Sequence, residues 1–238
     1  SEAKAWQEKL HQSADGRGLT RHGKAYDGWL TDNGVAVKSG EFVRAIRVRC
    51  NAMRTPARAT RGDRGDPNCR WDRQVANSNH VSQVCQQTHG LRVIRHDEMC
   101  KTLRVGLQKA GYRVILEPKI QDGNTFVKPD IICWKGKRGF VLDPIICGDN
   151  VDPNDRIMEK KEKYSRDIVF DYVKERGAEN GAVLSDGVEA HGISLTFRGS
   201  WAAESVQLLK VLGVAPSLGT IITLRVLNAS WRLLYTYE

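Results

Sequence analysis

Two aspartates stand in apolar, strand-forming sequence within the stretch VKPDIICWKGKRGFVLDPII, residues 127–146. The basic turn KGKR between them predicts an antiparallel hairpin, which can bring Asp130 and Asp143 side by side. Two buried like charges cost on the order of several kcal/mol unless a cation joins them. Carboxylates with open coordination positions suit Mg²⁺ or Mn²⁺, which activate water for attack on a phosphate. The alternative is that Asp130 belongs to a turn after Pro129 and that Asp143 ends a strand.

A second group of residues has the types and spacing of zinc ligands. A short zinc knuckle needs four ligands, and an aspartate stands where a second cysteine would complete the pattern Cys-x2-Cys-x7-His-x4-Cys. Carboxylate oxygen binds zinc as a harder ligand, and Cys50 or His89 are alternatives without comparable spacing. The other interpretation is a small metal-free core. The candidate ligands are Cys69, Asp72, His80 and Cys85.

Composition limits the classes of protein and partner that fit this chain. The chain of 238 residues carries 37 Lys and Arg against 28 Asp and Glu, a net charge of +9. Such a balance favours a polyanionic partner, most often nucleic acid, although a basic protein without such a partner has the same composition. No apolar run approaches the roughly 20 residues that cross a bilayer. We therefore expect an intracellular protein without a membrane partner, whose six cysteines are thiols, metal ligands or core residues rather than disulfides.

The stretch RTPARATRGDRGDPN, residues 54–68, is rich in Arg, Gly, Asp and Pro and offers little to bury. We interpret it as an electrostatic loop. Arg58, Arg61 and Arg64 are predicted to lie along a phosphate backbone, where they would add affinity that weakens with salt. Solvated surface charge is the simpler alternative.

The elements that must position these residues alternate between helix and strand after residue 90. The patterns predict a helix over 97–110, strands over 112–120, 125–134 and 139–148, a long helix over 155–177, a strand over 192–199 and C-terminal helices. This order is typical of an α/β fold with a small core and a mixed sheet flanked by helices. We divide the chain into a helical linker region (1–53), a basic loop and zinc-knuckle-like segment (54–90) and an α/β domain (91–238).

Several motifs in a fixed order resemble a known family. KPD, twelve residues, Asp, and then a helix bearing KKEKY resembles the restriction-like endonuclease, of the PD-(D/E)xK superfamily, of site-specific non-LTR retrotransposons that insert into ribosomal RNA genes. The knuckle-like segment running into THGLRVIRHDEMCK, the preceding RTPARATRG and the later FRGSW are similar to the same group. The resemblance covers essentially the whole chain.

The resemblance implies roles for individual residues. Asp130 and Asp143 would hold the catalytic Mg²⁺ or Mn²⁺, and the CCHC knuckle would hold structural Zn²⁺. The superfamily lysine normally follows the second acid by two residues, but that position is Ile145 here. The family pattern moves the lysine to the next helix, where KxxKY selects Lys160 and Lys163 and leaves Lys161 as the alternative by helical face. Arg95 and His96 match a basic-histidine motif expected to contact DNA.

The resemblance also implies a function. The chain would form a restriction-endonuclease-like domain of a larger polyprotein with a reverse transcriptase domain N-terminal to it. Its activity would nick double-stranded target DNA, so that the freed 3′ hydroxyl primes reverse transcription of element RNA in the nucleus. The alternative is a non-catalytic nucleic-acid-binding module that positions target DNA or element RNA and whose acid pair is vestigial.

Overall fold

The computed structural model describes residues 2–20, 23, 25–31, 36–62 and 64–237. Its helices are α1 (Glu2–Gln12), α2 (Ser39–Arg49), α3 (Pro56–Ala59), α4 (Ser78–Gln83), α5 (His89–Lys109), α6 (Pro153–Tyr164), α7 (Asp167–Glu179), α8 (Ala203–Val211) and α9 (Pro216–Tyr237). Its strands are β1 (Arg113–Leu116), β2 (Ile120–Asp122), β3 (Thr125–Val127), β4 (Ile131–Lys135), β5 (Arg138–Cys147) and β6 (Val188–Thr196). No helix among the described residues is both long and apolar enough to span a membrane.

A four-stranded mixed sheet forms the centre of the molecule. Its strand order is β1-β4-β5-β6, with β1, β4 and β5 antiparallel and β6 parallel to β5. The parallel pair exists because α6 and α7 carry the chain back across the sheet before β6 begins. The expected fold class, a small α/β core with a mixed sheet flanked by helices, is confirmed.

The predicted hairpin is confirmed in β4 and β5. Lys135 pairs with Arg138 across a two-residue turn whose first residue, Gly136, has a φ of +58°. Glycine takes up this left-handed conformation at no steric cost, as tight hairpin turns require. The register then runs to Ile131 opposite Leu142 at the far end of the ladder.

Four predicted elements differ from the structure. The first two predicted strands each divide in two, at Pro118 and Pro129, because proline has no N–H to donate to a ladder. Their inner halves, β2 and β3, form a separate two-stranded sheet. The predicted helix over 155–177 breaks at Ser165 and Arg166 into α6 and α7. The helix predicted to begin near residue 97 begins at His89, so His96 lies inside it rather than at its start.

Two hydrophobic cores matter for the site. One lies between the sheet and α5, α8 and α9 and includes Leu103, Leu142 and Val226. The other joins the linker region, the knuckle-like segment and α9, through residues such as Val48, Val81 and Leu233. The division at residues 53 and 90 remains a prediction, and side chains from all three segments pack in this second core.

Candidate functional site

The two aspartates face each other across the β4–β5 pair. Ile131 pairs with Leu142, so one further step along the antiparallel register sets Asp130 opposite Asp143. Asp143 lies in the interior of β5 and is 1% exposed, whereas Asp130 sits at the bend before β4 and is partly exposed. Burial, and then the charge of Asp130, raises the pKa of Asp143. A desolvated carboxyl beside a second carboxyl is an arrangement that a divalent cation stabilises.

Lys160 reaches this pair from α6. Its Nζ lies 2.8 Å from Asp143 Oδ1. This ion pair lowers the pKa of Asp143, whereas burial and the charge of Asp130 raise it. Asp152 caps α6 by accepting a hydrogen bond from the N–H of Asn154, and Pro153 occupies the first helical turn, which fixes where the helix starts. Lys163 instead lies over the ring of Tyr164, with Nζ 4.8 Å from the ring centroid, and Lys161 is exposed. The structure therefore brings one of the three candidate lysines to the carboxylates.

A glycine allows α6 to lie close to the sheet. Gly192 in β6 pairs with Asp143, and a Cβ at this position would lie 2.8 Å from the Cα of Ile157 in α6. Real Cβ atoms do not approach backbone this closely, so a side chain here would push the helix outward. The close approach places Lys160, one turn after Ile157, over Asp143.

His96 contacts the other carboxylate. Its Nε2 lies 3.1 Å from Asp130 Oδ2 and 3.0 Å from the carbonyl oxygen of Pro144. The hydrogen bond with Asp130, and then the contact with Cys100 Sγ at 3.7 Å from Nδ1, raises the pKa of His96 to about 11. The imidazole is therefore protonated at neutral pH and supplies a positive charge beside Asp130.

Two neighbours of the site were missed in the sequence. Cys100 is one helical turn after His96, and this i, i+4 spacing is a signal that could have predicted the contact. Tyr164, one turn after Lys160, donates its hydroxyl to the Lys128 carbonyl at 3.2 Å. Burial, and then the charge of Asp143, raises the pKa of that hydroxyl, so Tyr164 is neutral in the site.

Open clefts lie on both sides of the carboxylates. A cleft of about 530 Å³ is lined by Arg92, His96 and Asp130, among others. A second cleft of about 640 Å³ is lined by Lys160 and also by His80 of the knuckle-like segment. The two clefts therefore extend from Asp130 and Lys160 to the knuckle-like segment.

The candidate zinc ligands Cys69, His80 and Cys85 form a buried cluster whose ligand atoms all lie within 4.8 Å of one another. The two Sγ atoms are 3.8 Å apart. Among the described residues, neither ring nitrogen of His80 has a hydrogen-bond partner, although both are buried. Orphaned imidazole nitrogens beside two thiols fit a tetrahedral metal site. Asp72 Oδ2 lies 3.5 Å from His80 Nε2, although Asp72 is outside that group of three.

The two alternative zinc ligands lie elsewhere. Cys50 is exposed, and His89 contacts Arg92. Neither belongs to the cluster of Cys69, His80 and Cys85.

The arginines predicted to bind nucleic acid fall into different environments. Arg58 and Arg61 both pair with Asp15, at 2.6 and 3.1 Å, and Arg64 is exposed. Arg95 is 3% exposed and donates hydrogen bonds to Ser230 Oγ and to the Ser82 carbonyl, at 2.9 and 3.0 Å. Burial lowers the pKa of Arg95 to about 9. Its geometry is that of a packing residue between α5 and α9, whereas Arg92, one turn earlier, faces the cleft.

The fold and the site together define a mixed α/β protein with a paired-carboxylate site beside a buried Cys-His-Cys cluster. No family model matches the chain. Comparison with curated proteins finds Pol polyproteins of R2 retrotransposable elements. The chain is 31% identical over 233 residues to the Pol polyprotein of the type-2 retrotransposable element R2DM of Drosophila melanogaster, covering 95% of the chain and 22% of that protein.

Two further relatives agree. The Pol polyprotein of a type-1 element R2 of Nasonia vitripennis is 30% identical over 238 residues, which cover 98% of the chain and 23% of the relative. A Pol polyprotein of a type-1 element R2 from Popillia japonica is 26% identical over 230 residues, which cover 92% of the chain and 45% of that relative. The chain is homologous to a part of the R2 retrotransposon Pol polyproteins, and it spans less than a quarter of the length of the first two.

Proposed function

We propose that this region is a metal-dependent endonuclease that nicks DNA to start target-primed reverse transcription by a non-LTR retrotransposon. The observation that carries the proposal is the apposition of Asp130 and Asp143 with Lys160 2.8 Å from the buried carboxylate. Asp130 and Lys160 each line an open cleft, and paired carboxylates with a lysine are groups that support phosphodiester hydrolysis.

Each residue has a distinct task in the proposed reaction. Asp130 and Asp143 would hold Mg²⁺ or Mn²⁺, which when bound lowers the pKa of a water and neutralises phosphate charge. Lys160 stabilises the negative charge that develops on the phosphoryl oxygens. His96 fixes the orientation of Asp130 through its hydrogen bond. The water oxygen bonds to phosphorus and the P–O3′ bond breaks, leaving a 5′ phosphate and a 3′ hydroxyl.

The wider assignment follows from the relatives. The relatives are Pol polyproteins of retrotransposable elements, so we propose that a reverse transcriptase domain accompanies this region in one protein. The proposed substrate is double-stranded target DNA and the proposed template is element RNA, which implies work in the nucleus. Zn²⁺ bound by Cys69, His80 and Cys85, with Asp72 as the fourth ligand, would be structural.

One observation favours the second candidate function, a non-catalytic module that binds nucleic acid. His96 and Lys160 each contact one carboxylate, so basic groups of the chain itself accompany the acid pair. Such contacts favour a role in which the acid pair holds no metal.

Plasmid nicking separates the two functions. We would incubate the chain with supercoiled plasmid and Mg²⁺, Mn²⁺ or EDTA, and compare Asp130→Asn and Asp143→Asn with Asp171→Asn. Asp171 is an exposed acid on α7 that pairs with Lys174 and serves as the matched control. We expect metal-dependent nicking that only the two site variants lose. DNA binding without nicking under every metal condition would instead support the binding module.

A further inference from the structure

A cavity beside the Cys-His-Cys cluster has no part in the proposed cleavage. It encloses about 450 Å³ and is lined by the arginine-rich loop, the residues around Cys69 and the end of α9. Cavities of roughly 300–1,000 Å³ are the size that hold small ligands or single groups of larger ones. We call it the Trp71 pocket, after the exposed indole that lines it.

Trp71 is exposed yet held in a fixed position. It is 51% exposed, and its ring packs on Tyr237 of α9 with centroids 5.5 Å apart. The turn that carries it is closed by backbone hydrogen bonds from Cys69 N–H to the Gln74 carbonyl and from Arg73 N–H to the Cys69 carbonyl, at 2.7 and 3.0 Å. An exposed indole supported from behind is a preorganised stacking surface rather than a core residue left outside.

The polar groups around the ring suit a nucleotide. Exposed Arg54 and Arg70 line the same pocket and supply guanidinium groups for a phosphate. Asp66 and Asn68 also line it and supply a carboxylate and an amide, which hydrogen-bond base edges. A base in a duplex is already stacked on both faces, so only an unpaired base presents a face to Trp71.

We propose that the Trp71 pocket binds an unpaired nucleobase of a single strand, with its phosphate on Arg54 and Arg70. The base stacks on the indole, and its edge meets Asp66 and Asn68. The strand is either DNA or RNA, which share this chemistry. The inference relies on nucleic acid as the partner, but it does not rely on cleavage.

Binding by fluorescence anisotropy tests the pocket. Fluorescein-labelled single strands of about 15 nucleotides, in DNA and RNA versions, are compared with a blunt duplex of the same sequence. The full chain is titrated into each without divalent cations. Trp71→Ala and Trp71→Phe are compared with Trp6→Ala, which removes an indole that is 64% exposed on α1.

We expect Trp71→Ala to weaken single-strand binding about 5- to 150-fold, the equivalent of losing one stacked base. Trp71→Phe should retain most of the affinity, Trp6→Ala all of it, and duplex binding should not change. The strand type that loses more identifies the source of the base. The proposal would be overturned by any of three results. Trp71→Ala could bind single strands as well as the unchanged chain does, it could lose as much affinity for the duplex, or Trp6→Ala could lose as much affinity as Trp71→Ala. Because plasmid nicking is read separately, failure here leaves the proposed endonuclease standing.

Discussion

Lys160, Lys161 and Lys163 stand within four consecutive residues of one helix but in three different environments. Lys160 pairs with Asp143, Lys161 is exposed and Lys163 lies over Tyr164. We expect Lys160→Ala to lower the rate of plasmid nicking about 10²- to 10³-fold, because it removes the positive charge nearest the reacting phosphate. Lys161→Ala is the matched control on the same helix. Equal activity of the two variants would exclude Lys160 as a catalytic residue.

The Cys-His-Cys cluster predicts a second result at the residue scale. We expect purified protein to contain zinc by elemental analysis, and Cys69→Ser to lose it together with thermal stability, since a short segment gains its order from the metal. Cys50→Ser should retain zinc because Cys50 is exposed and outside the cluster. Asp72→Asn should weaken retention against a chelator if Asp72 supplies the fourth ligand. Full zinc content in Cys69→Ser would contradict the assignment.

Single residues were predictable where their type conflicted with their surroundings. Asp130 and Asp143 stood out because carboxylates in apolar strand sequence need a partner. The KxxKY motif selected Lys160 and Lys163, but the sequence did not decide between these two lysines, because that choice depends on how α6 docks. The burial of Arg95 was also hidden, since its partners Ser82 and Ser230 are distant in sequence.

Among the elements, the contact between α6 and β6 controls the site. We expect Gly192→Ala to destabilise the fold by about 1–3 kcal/mol, because its Cβ would meet the backbone of Ile157. The same shift moves Lys160 away from Asp143, so nicking should fall further than the loss of folded protein explains. Urea unfolding and nicking of the folded fraction measure the two effects.

The control for that variant is Gly90→Ala in the first turn of α5, where an added Cβ meets nothing within 4 Å. Its stability should stay the same or rise slightly, because alanine favours helix over glycine. A Gly192→Ala protein that matches Gly90→Ala in both assays would show that α6 tolerates displacement.

Local sequence signals predicted which elements form better than they predicted where those elements begin and end. The β4–β5 hairpin has a turn signal and two β-rich flanks that agree with each other. The prolines at 118 and 129 were present in the sequence, but the second sheet they create depends on the chain folding back at Gly123. The early start of α5 depends on tertiary burial of Arg95, which overrides local helix-start signals.

At the scale of the whole molecule, Arg198 connects distant segments. It is 1% exposed and donates to the carbonyls of Arg49 and Asp15 and to the carboxylate of Asp149. We expect Arg198→Met to lower the free energy of unfolding by about 3–5 kcal/mol, because it removes the cation beside the largely buried Asp149 carboxylate and leaves the Arg49 and Asp15 carbonyls without this donor. Chemical denaturation measures this loss. Arg176→Met, at an exposed pair with Glu179, should change stability by less than about 1 kcal/mol.

The net charge of +9 predicts how binding depends on salt. We expect the logarithm of duplex affinity to fall linearly with the logarithm of salt concentration, by about 0.9 for each phosphate contacted. Arg64→Gln should reduce the slope by about one contact. Arg58→Gln should act mainly on stability, because Arg58 is paired with Asp15 and with the Asn51 carbonyl. An affinity independent of salt would exclude the phosphate backbone as the main target.

The second core packs α9, the linker region and the knuckle-like segment together, and Arg198 adds buried hydrogen bonds between the linker region and the sheet. The same packing joins the segments that carry the Trp71 pocket to the domain that carries the carboxylate pair. Two binding sites in one folded unit are separated by a fixed distance. If a strand occupies both sites, the nick falls at a constant number of nucleotides from the bound base. The cleavage position is then set by distance along the strand rather than by base sequence.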